Sequence, residues 1–114
     1  MDFSADFCRI GVSATDERVT IRVYGDVDLA SAPLLDAAFA GVDGWGDVEV
    51  DLSGTTFCDG AGLRVLDLAH RRFGDRMRVT GASPTLRRLA AVLDLDWFAA
   101  EMPDRAVGVR NPSS

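Results

Sequence analysis

The chain has 114 residues, of which 47% are hydrophobic, enough to form one domain around one core. It contains no apolar stretch of about 20 residues, and its acidic start does not resemble a secretory signal. We therefore expect a cytoplasmic protein with no membrane partner. The net charge of −6 opposes phosphate backbones, so we also expect no direct binding to nucleic acid.

The first half of the chain predicts a hairpin followed by a helix. Val19, Ile21 and Val23 alternate with polar residues, which indicates a half-buried strand. Residues 7–12 are less regular, and we expect them to pair with this strand as a hairpin. Ser31 is a candidate helix N-cap with Pro33 in the first turn. A glycine-rich loop over residues 41–46 then ends this helix.

The second half continues the alternation of strands and helices. The patterns predict a strand over residues 48–52, a helix over 63–73, a short strand over 77–79 and a helix from Ser83. Trp97 and Phe98 suggest a last short strand. The order β-β-α-β-α-β-α-(β) predicts an α/β fold, a mixed sheet of four to five strands with three to four helices packed on it. We expect one domain over residues 1–101 and a weakly patterned tail over 102–114.

Little in the sequence supports catalysis or metal binding. His70 is the only histidine and lies in a helical pattern beside an apolar stripe. The two cysteines, Cys8 and Cys58, have no CxxC spacing. Asp26 and Asp28 are paired carboxylates, but two acids alone define no reaction. We therefore expect no enzyme, no catalytic residues, no metal and no cofactor.

The turn between the strand over 48–52 and the next helix is the candidate functional element. Its residues are Cys58, Asp59, Gly60, Ala61 and Gly62. The Asp59 side chain is placed to accept hydrogen bonds from the first amides of the helix, and the small residues leave the helix start uncovered. One interpretation is a site for an anion or for an acidic group of a partner. The other, which the spacing alone favours, is a capped helix that uses glycine to approach the sheet closely.

Four segments resemble the STAS domain family of anti-sigma factor antagonists. These segments are residues 19–28, 50–54, 57–63 and 79–89, and the third is the most specific. With the predicted element order, the resemblance covers roughly residues 7–99. It implies that the unphosphorylated protein binds an anti-sigma factor, which is a serine kinase, and frees a sigma factor. In this family, phosphorylation of a serine at the start of the second helix reverses that binding.

This sequence departs from the family at the phosphorylated position. The family's usual run is Asp-Ser-Ser/Ala-Gly-Leu, and here it reads Asp59-Gly60-Ala61-Gly62-Leu63. Gly60 has no hydroxyl, so we expect a binding module that is not phosphorylated there. The partner, by resemblance, is a kinase-like anti-sigma factor, and self-association as a homodimer stays open. The resemblance implies a partner-binding surface that comprises Asp26, Asp28, Cys58, Asp59, Gly60, Ala61, Gly62 and Arg64.

Other functions and other modes of control remain open. The domain could serve as a regulatory or scaffold subunit of another assembly, including a transporter-associated complex. A nucleotide- or phosphate-binding enzyme is disfavoured, because the chain has no lysine to grip phosphate. Cys58 next to a helix N-terminus suggests redox control, although an inert packed cysteine is more common. Ser53, Thr55 and Thr56 are nearby hydroxyls with turn-forming roles.

Overall fold

The computed structural model describes residues 2–5, 7–15 and 17–101. Its strands are β1 (Asp2–Ala5), β2 (Cys8–Ala14), β3 (Arg18–Val27), β4 (Asp47–Cys58) and β5 (Met77–Thr80). Its α-helices are α1 (Ala32–Gly41), α2 (Gly60–Phe73), α3 (Pro84–Val92) and α4 (Asp96–Glu101), and a 3₁₀ turn, Gly74–Arg76, follows α2. The strands form one sheet in the order β1-β2-β3-β4-β5. The predicted α/β class with a mixed sheet is confirmed; β1 was not predicted, and the tail over residues 102–114 lies outside the described residues.

Alternation along the central strands separates a buried face from a polar one. Val19, Ile21 and Val23 of β3 are almost completely buried, as the sequence predicts, and they join side chains of the helices in one core. The opposite face carries charged cross-strand pairs. The Arg18 guanidinium lies 3.7 Å from the Glu49 carboxylate of β4, at an exposed position where such a pair contributes little stability.

Strand direction places the starts of two helices at one end of the sheet. β1–β2 and β2–β3 are antiparallel, whereas β3–β4 and β4–β5 are parallel. Val27, the last residue of β3, pairs with Cys58, the last residue of β4. Because parallel strands end at the same edge, the loops that lead into α1 and α2 lie side by side. This is the edge at which α/β sheets usually bind their ligands.

The β1–β2 turn is held against the same end of the sheet by Gly25. The Asp26 N–H donates a hydrogen bond to the Phe7 carbonyl oxygen at 2.7 Å. Gly25 has a φ of +87°, and a Cβ at this position would lie 2.1 Å from that oxygen. Only glycine therefore permits this contact, and the contact brings Phe7 to the end of β3.

The last short strand predicted at Trp97 and Phe98 is wrong, because both residues lie in α4. Asp94 adopts a φ of +61° and reverses the chain after α3, so that α4 packs back on the domain. Phe98 is fully buried in the core, and the Trp97 ring stacks on His70 with 4.2 Å between ring centroids. Tertiary packing thus decides the conformation of two aromatic residues that on their own favour a strand.

We predict that Trp97→Phe lowers the free energy of unfolding by about 1 kcal/mol. The Trp97 indole N–H donates a hydrogen bond to the Asp67 carboxylate of α2 at 2.8 Å, and phenylalanine would leave that carboxylate without this donor. Urea unfolding followed by circular dichroism measures the change. Trp45→Phe is the matched control, since Trp45 is partly exposed and its hydrogen bonds, with Val42 and Arg76, use only its backbone N–H and C=O groups. Equal stability of the two variants would contradict the role of the Trp97–Asp67 contact.

Candidate functional site

Asp59 forms the N-cap of α2 and links it to the sheet. Its Oδ1 atom accepts hydrogen bonds from the Ala61 N–H at 2.9 Å and from the Gly62 N–H at 3.2 Å. Its own N–H donates to the Val27 carbonyl oxygen at 3.1 Å. The predicted cap is confirmed. An anion at this helix start would meet a carboxylate and two amides already bound, so the geometry does not support the anion site considered from the sequence.

The two glycines of the turn have opposite surroundings. A Cβ on Gly62 would lie 2.6 Å from the Cys58 sulfur and 2.7 Å from Cγ1 of Val27. On Gly60, by contrast, a Cβ would meet no atom within 4 Å outside its own neighbours and helix backbone. Gly62 therefore permits close packing of α2 on the sheet, whereas Gly60 leaves an open, exposed position at the first residue of the helix.

Asp28, one of the predicted partner-binding residues, organises the loop before α1. Its Oδ1 accepts from the N–H groups of Ala30 and Ser31, both at 3.0 Å, and from the Ser31 hydroxyl at 3.1 Å. The hydrogen bond from the Ser31 N–H, followed by that from its hydroxyl, lowers the pKa of Asp28. Ser31 is the N-cap position predicted from the sequence, but its side chain makes no capping hydrogen bond to α1. The first amide of α1, the Ala32 N–H, donates to the backbone carbonyl oxygen of Asp28 at 2.7 Å, while the Asp28 side chain holds the loop before the helix.

Asp26 and Arg64 complete the predicted set. Asp26, in β3, accepts a hydrogen bond from the Thr56 hydroxyl of β4 at 2.7 Å, which ties the ends of the two parallel strands together. Arg64 lies on an exposed position of α2, one turn beyond Gly60. The structure thus brings the predicted residues to one end of the sheet, with each of the three carboxylates engaged in a local hydrogen bond.

Both cysteines are buried beneath this surface. Burial raises the pKa of the Cys58 thiol to about 12, with a further contribution from the Asp59 carboxylate and from Cys8. Burial likewise raises the pKa of Cys8. Proximity to a helix N-terminus suggested an easily formed thiolate at Cys58, but loss of solvent dominates there. The environment of Cys58 therefore opposes redox control.

Three exposed apolar side chains at this end of the sheet were not predicted from the sequence. Phe7 and Leu29 are each 78% exposed and Phe57 is 53% exposed. We call Phe7, Leu29 and Phe57 the apolar rim. They lie in the β1–β2 turn, in the loop before α1 and at the end of β4. The alternation of the strand could have indicated that Phe57 is exposed, because Phe57 occupies an odd position and the even positions 48, 50 and 52 are buried.

The part of the chain that the structure describes has neither a membrane-spanning helix nor a cluster of metal ligands. None of its helices is both long enough and apolar enough to span a membrane. Within residues 2–5, 7–15 and 17–101, no three His, Cys, Asp or Glu side chains come together as ligands for a metal ion. This end of the sheet therefore offers a surface with exposed apolar side chains and with carboxylates that accept hydrogen bonds from nearby residues.

We predict opposite effects on stability for alanine at the two glycines. Gly62→Ala should lower the free energy of unfolding by about 2 kcal/mol, since the new methyl group would overlap Cys58 and Val27. Gly60→Ala should raise it by roughly 0.5 kcal/mol, since the space is open and the unfolded chain loses conformational freedom. Urea unfolding of both variants makes the comparison. A Gly62→Ala protein as stable as the native one would disprove the close approach of α2.

We also predict that both thiols are slow to react with a disulfide reagent in the folded protein at pH 8. The reaction rate should keep rising beyond pH 9, because the Cys58 thiol loses its proton only near pH 12. In the unfolded chain the thiol ionises near its ordinary pKa of 9.0, so the stability from the neutral thiol is intact below that pH and is lost as the pH rises towards 12. The control is the same assay in guanidinium chloride. Equally fast reaction of the folded and unfolded proteins at pH 8 would contradict the burial.

The family model described as "Mlab, STAS domain" matches residues 10–102. A comparison with curated protein sequences gives no match. Several solved structures, by contrast, are similar to this chain.

An anti-sigma factor antagonist from Mycobacterium paratuberculosis is 26% identical, with 79% of this chain and 80% of that protein covered and a TM-score of 0.71. An antisigma-factor antagonist STAS domain from Rhodobacter sphaeroides is 24% identical over 72% of this chain and 98% of that one, with a TM-score of 0.61. The phosphorylated form of the Bacillus cell fate determinant SpoIIAA is 17% identical over 81% and 86%, with a TM-score of 0.64. The last two show the shared fold alone. Because the family model matches residues 10–102, which is most of the chain, the chain belongs to the STAS domain family.

Proposed function

We propose that this protein is a binding module of the anti-sigma factor antagonist type, which binds a kinase-type anti-sigma factor and thereby releases a sigma factor. The observation that carries the proposal is the apolar rim beside the uncovered start of α2. The 26% identical antagonist from Mycobacterium paratuberculosis supports the same assignment. Catalysis has no part in this function.

The apolar rim provides the contact energy for such a complex. Phe7, Leu29 and Phe57 come from three separate segments, yet they converge at one end of the sheet. Burying one side chain of this size on binding contributes about 1–2 kcal/mol. The open space at Gly60 allows a partner to approach the backbone of α2 closely. Together these features form an apolar surface around a helix start.

The carboxylates set the electrostatic character of the surface. Asp26, Asp28 and Asp59 lie at the carboxyl ends of β3 and β4 and hold their loops through local hydrogen bonds. Their charges favour a partner with basic groups opposite them. Arg64 adds one exposed cation on the adjacent turn of α2, suited to an acidic residue of the partner.

Gly60 removes the hydroxyl that a kinase partner would phosphorylate, so binding is constitutive with respect to this position. A phosphoryl group at residue 60 would add nearly two negative charges beside the Asp59 carboxylate and would obstruct the close approach of a partner to the backbone of α2. The structure leaves room for such a group, because the space at residue 60 is open. Phosphorylation is prevented by the residue type and not by packing.

We predict that Gly60→Ser makes the protein switchable. With ATP and the cognate anti-sigma kinase, the serine variant should take up phosphate at residue 60 and lose affinity for that kinase at least about tenfold. The native protein should take up none and keep its affinity. Mass spectrometry locates the phosphate, and calorimetry measures the binding. Phosphate on the native protein within residues 53–62 would contradict constitutive binding.

We predict that Leu29→Ser weakens binding to the anti-sigma factor about tenfold, since it removes an apolar side chain from the rim. Val92→Ser is the matched control, because Val92 is similarly exposed but lies near the end of α3. The anti-sigma factor is first identified by co-purification from the source cell. Recovery of membrane transport components in place of a kinase-like protein would favour the alternative, a regulatory subunit of a transporter-associated assembly.

A further inference from the structure

β4 is much longer than the strand on one of its sides. β3 accompanies β4 to its end, where Val27 pairs with Cys58. On the other side, β5 pairs only with Val48 to Asp51, and the last pair is Asp51 with Thr80. Within the described part of the chain, no strand lies on that side of residues 54–58. The carboxyl-terminal part of β4 is therefore an unpaired sheet edge.

Gly81 ends the pairing of β5 and directs the chain away from β4. Its φ is +76°, and a Cβ there would lie 2.7 Å from the Ser53 backbone nitrogen. The chain then enters α3, where the Ser83 hydroxyl caps the helix by accepting from the Leu86 N–H at 3.1 Å. The turn at Gly81 thus separates α3 from the end of β4 and leaves space between them.

That space is a groove with a volume of about 320 Å³. Its β4 wall consists of four consecutive residues, 55–58, and its α3 wall includes Thr85, Leu86 and Leu89. Side chains of consecutive strand residues point to opposite faces of a sheet, so four in a row line a groove only when it runs along the strand edge. An edge of this kind presents backbone N–H and C=O groups to whatever enters.

The threonine hydroxyls of this edge are already engaged within the domain. The Thr55 hydroxyl donates to the Val23 carbonyl oxygen at 3.0 Å, and the Thr56 hydroxyl donates to the Asp26 carboxylate at 2.7 Å. Both contacts point towards β3 and not towards the groove. Recognition in the groove would therefore rest on the backbone of β4 and on the apolar side chains of α3.

We propose that the groove binds an extended peptide segment of a partner protein, which adds to the sheet as a strand beside residues 55–58. Four residues of strand measure about 13 Å, so the paired part of the peptide is four to five residues long. Alternate apolar side chains of the peptide pack on Leu86 and Leu89, and the others face solvent. The unpaired length of β4 identifies a strand, and not a helix, as the occupant.

The charge of the protein around the groove determines which residues are favoured at the ends of the peptide. None of the residues that line the groove is charged. The carboxylate of Asp59 follows directly after Cys58, and the whole chain has a net charge of −6. A segment with apolar residues at alternate positions and a basic residue at one end is therefore the chemistry that fits.

The groove is continuous with the surface of the proposed function but does not depend on it. Phe57 belongs both to the apolar rim and to the groove lining. A partner seated on the rim could place an extended segment in the groove, and so could a different protein. A test of the groove therefore requires no anti-sigma factor, and its failure would leave the expected effect of Leu29→Ser unchanged.

The test is selection of a randomised heptapeptide library, displayed on phage, against the native protein. We expect enriched peptides with alternating apolar residues and a basic flank. Synthetic copies should bind Thr85→Arg at least about tenfold more weakly, since this side chain would obstruct the groove. Val92→Arg adds the same charge at an exposed position of α3 outside the groove lining, so it should bind the peptides as the native protein does.

Two further measurements make the outcome decisive. Thr85→Trp adds bulk without charge and should reduce binding in the same way, which separates obstruction from repulsion. In the bound native protein, amide hydrogen exchange should slow at residues 54–58, as it does when a strand acquires a new neighbour. Enrichment of no peptide, equal binding by Thr85→Arg, or protection confined to other residues would each overturn the proposal.

Discussion

The site depends on one steric constraint, the close approach of the first turn of α2 to the ends of β3 and β4. Gly62 lies where a single methyl group would overlap both Cys58 and Val27. This contact buries the Cys58 thiol and raises its pKa. At the same helix start, the Asp59 carboxylate caps α2 by accepting from the amides of Ala61 and Gly62. Burial of the thiol and the position of α2 on the sheet therefore both depend on the absence of a side chain at residue 62.

The polar groups around this contact serve the structure first. Asp28 holds the loop before α1, Asp26 binds Thr56 across the strand pair, and Asp59 caps α2. These hydrogen bonds fix the positions of the loop that carries Leu29 and of the end of β4 that carries Phe57. Because the loops are already held in place, the entropic cost of ordering them when a partner binds is smaller.

Much of this arrangement follows from the sequence, and the rest follows from contacts between distant residues. Alternation at Val19, Ile21 and Val23 predicted a half-buried strand, and Asp59 before small residues predicted a helix cap. The helix at Trp97 and Phe98 was not predictable, because it depends on stacking against His70 and on burial in the core. The exposure of Phe7 and Leu29 could not be inferred from the sequence for a similar reason. No local pattern shows that a turn and a loop far apart in sequence meet at one end of a sheet.

The different surroundings of Gly60 and Gly62 bear on how such modules diverge. Some glycine codons become serine codons by a single base change, and at residue 60 the resulting side chain would enter open space. The same change at residue 62 would collide with the core. A hydroxyl can therefore be gained or lost at residue 60 without compensating substitutions, whereas any side chain at residue 62 would require the core to shift. Forms of this helix start with and without a hydroxyl at residue 60 are one mutational step apart.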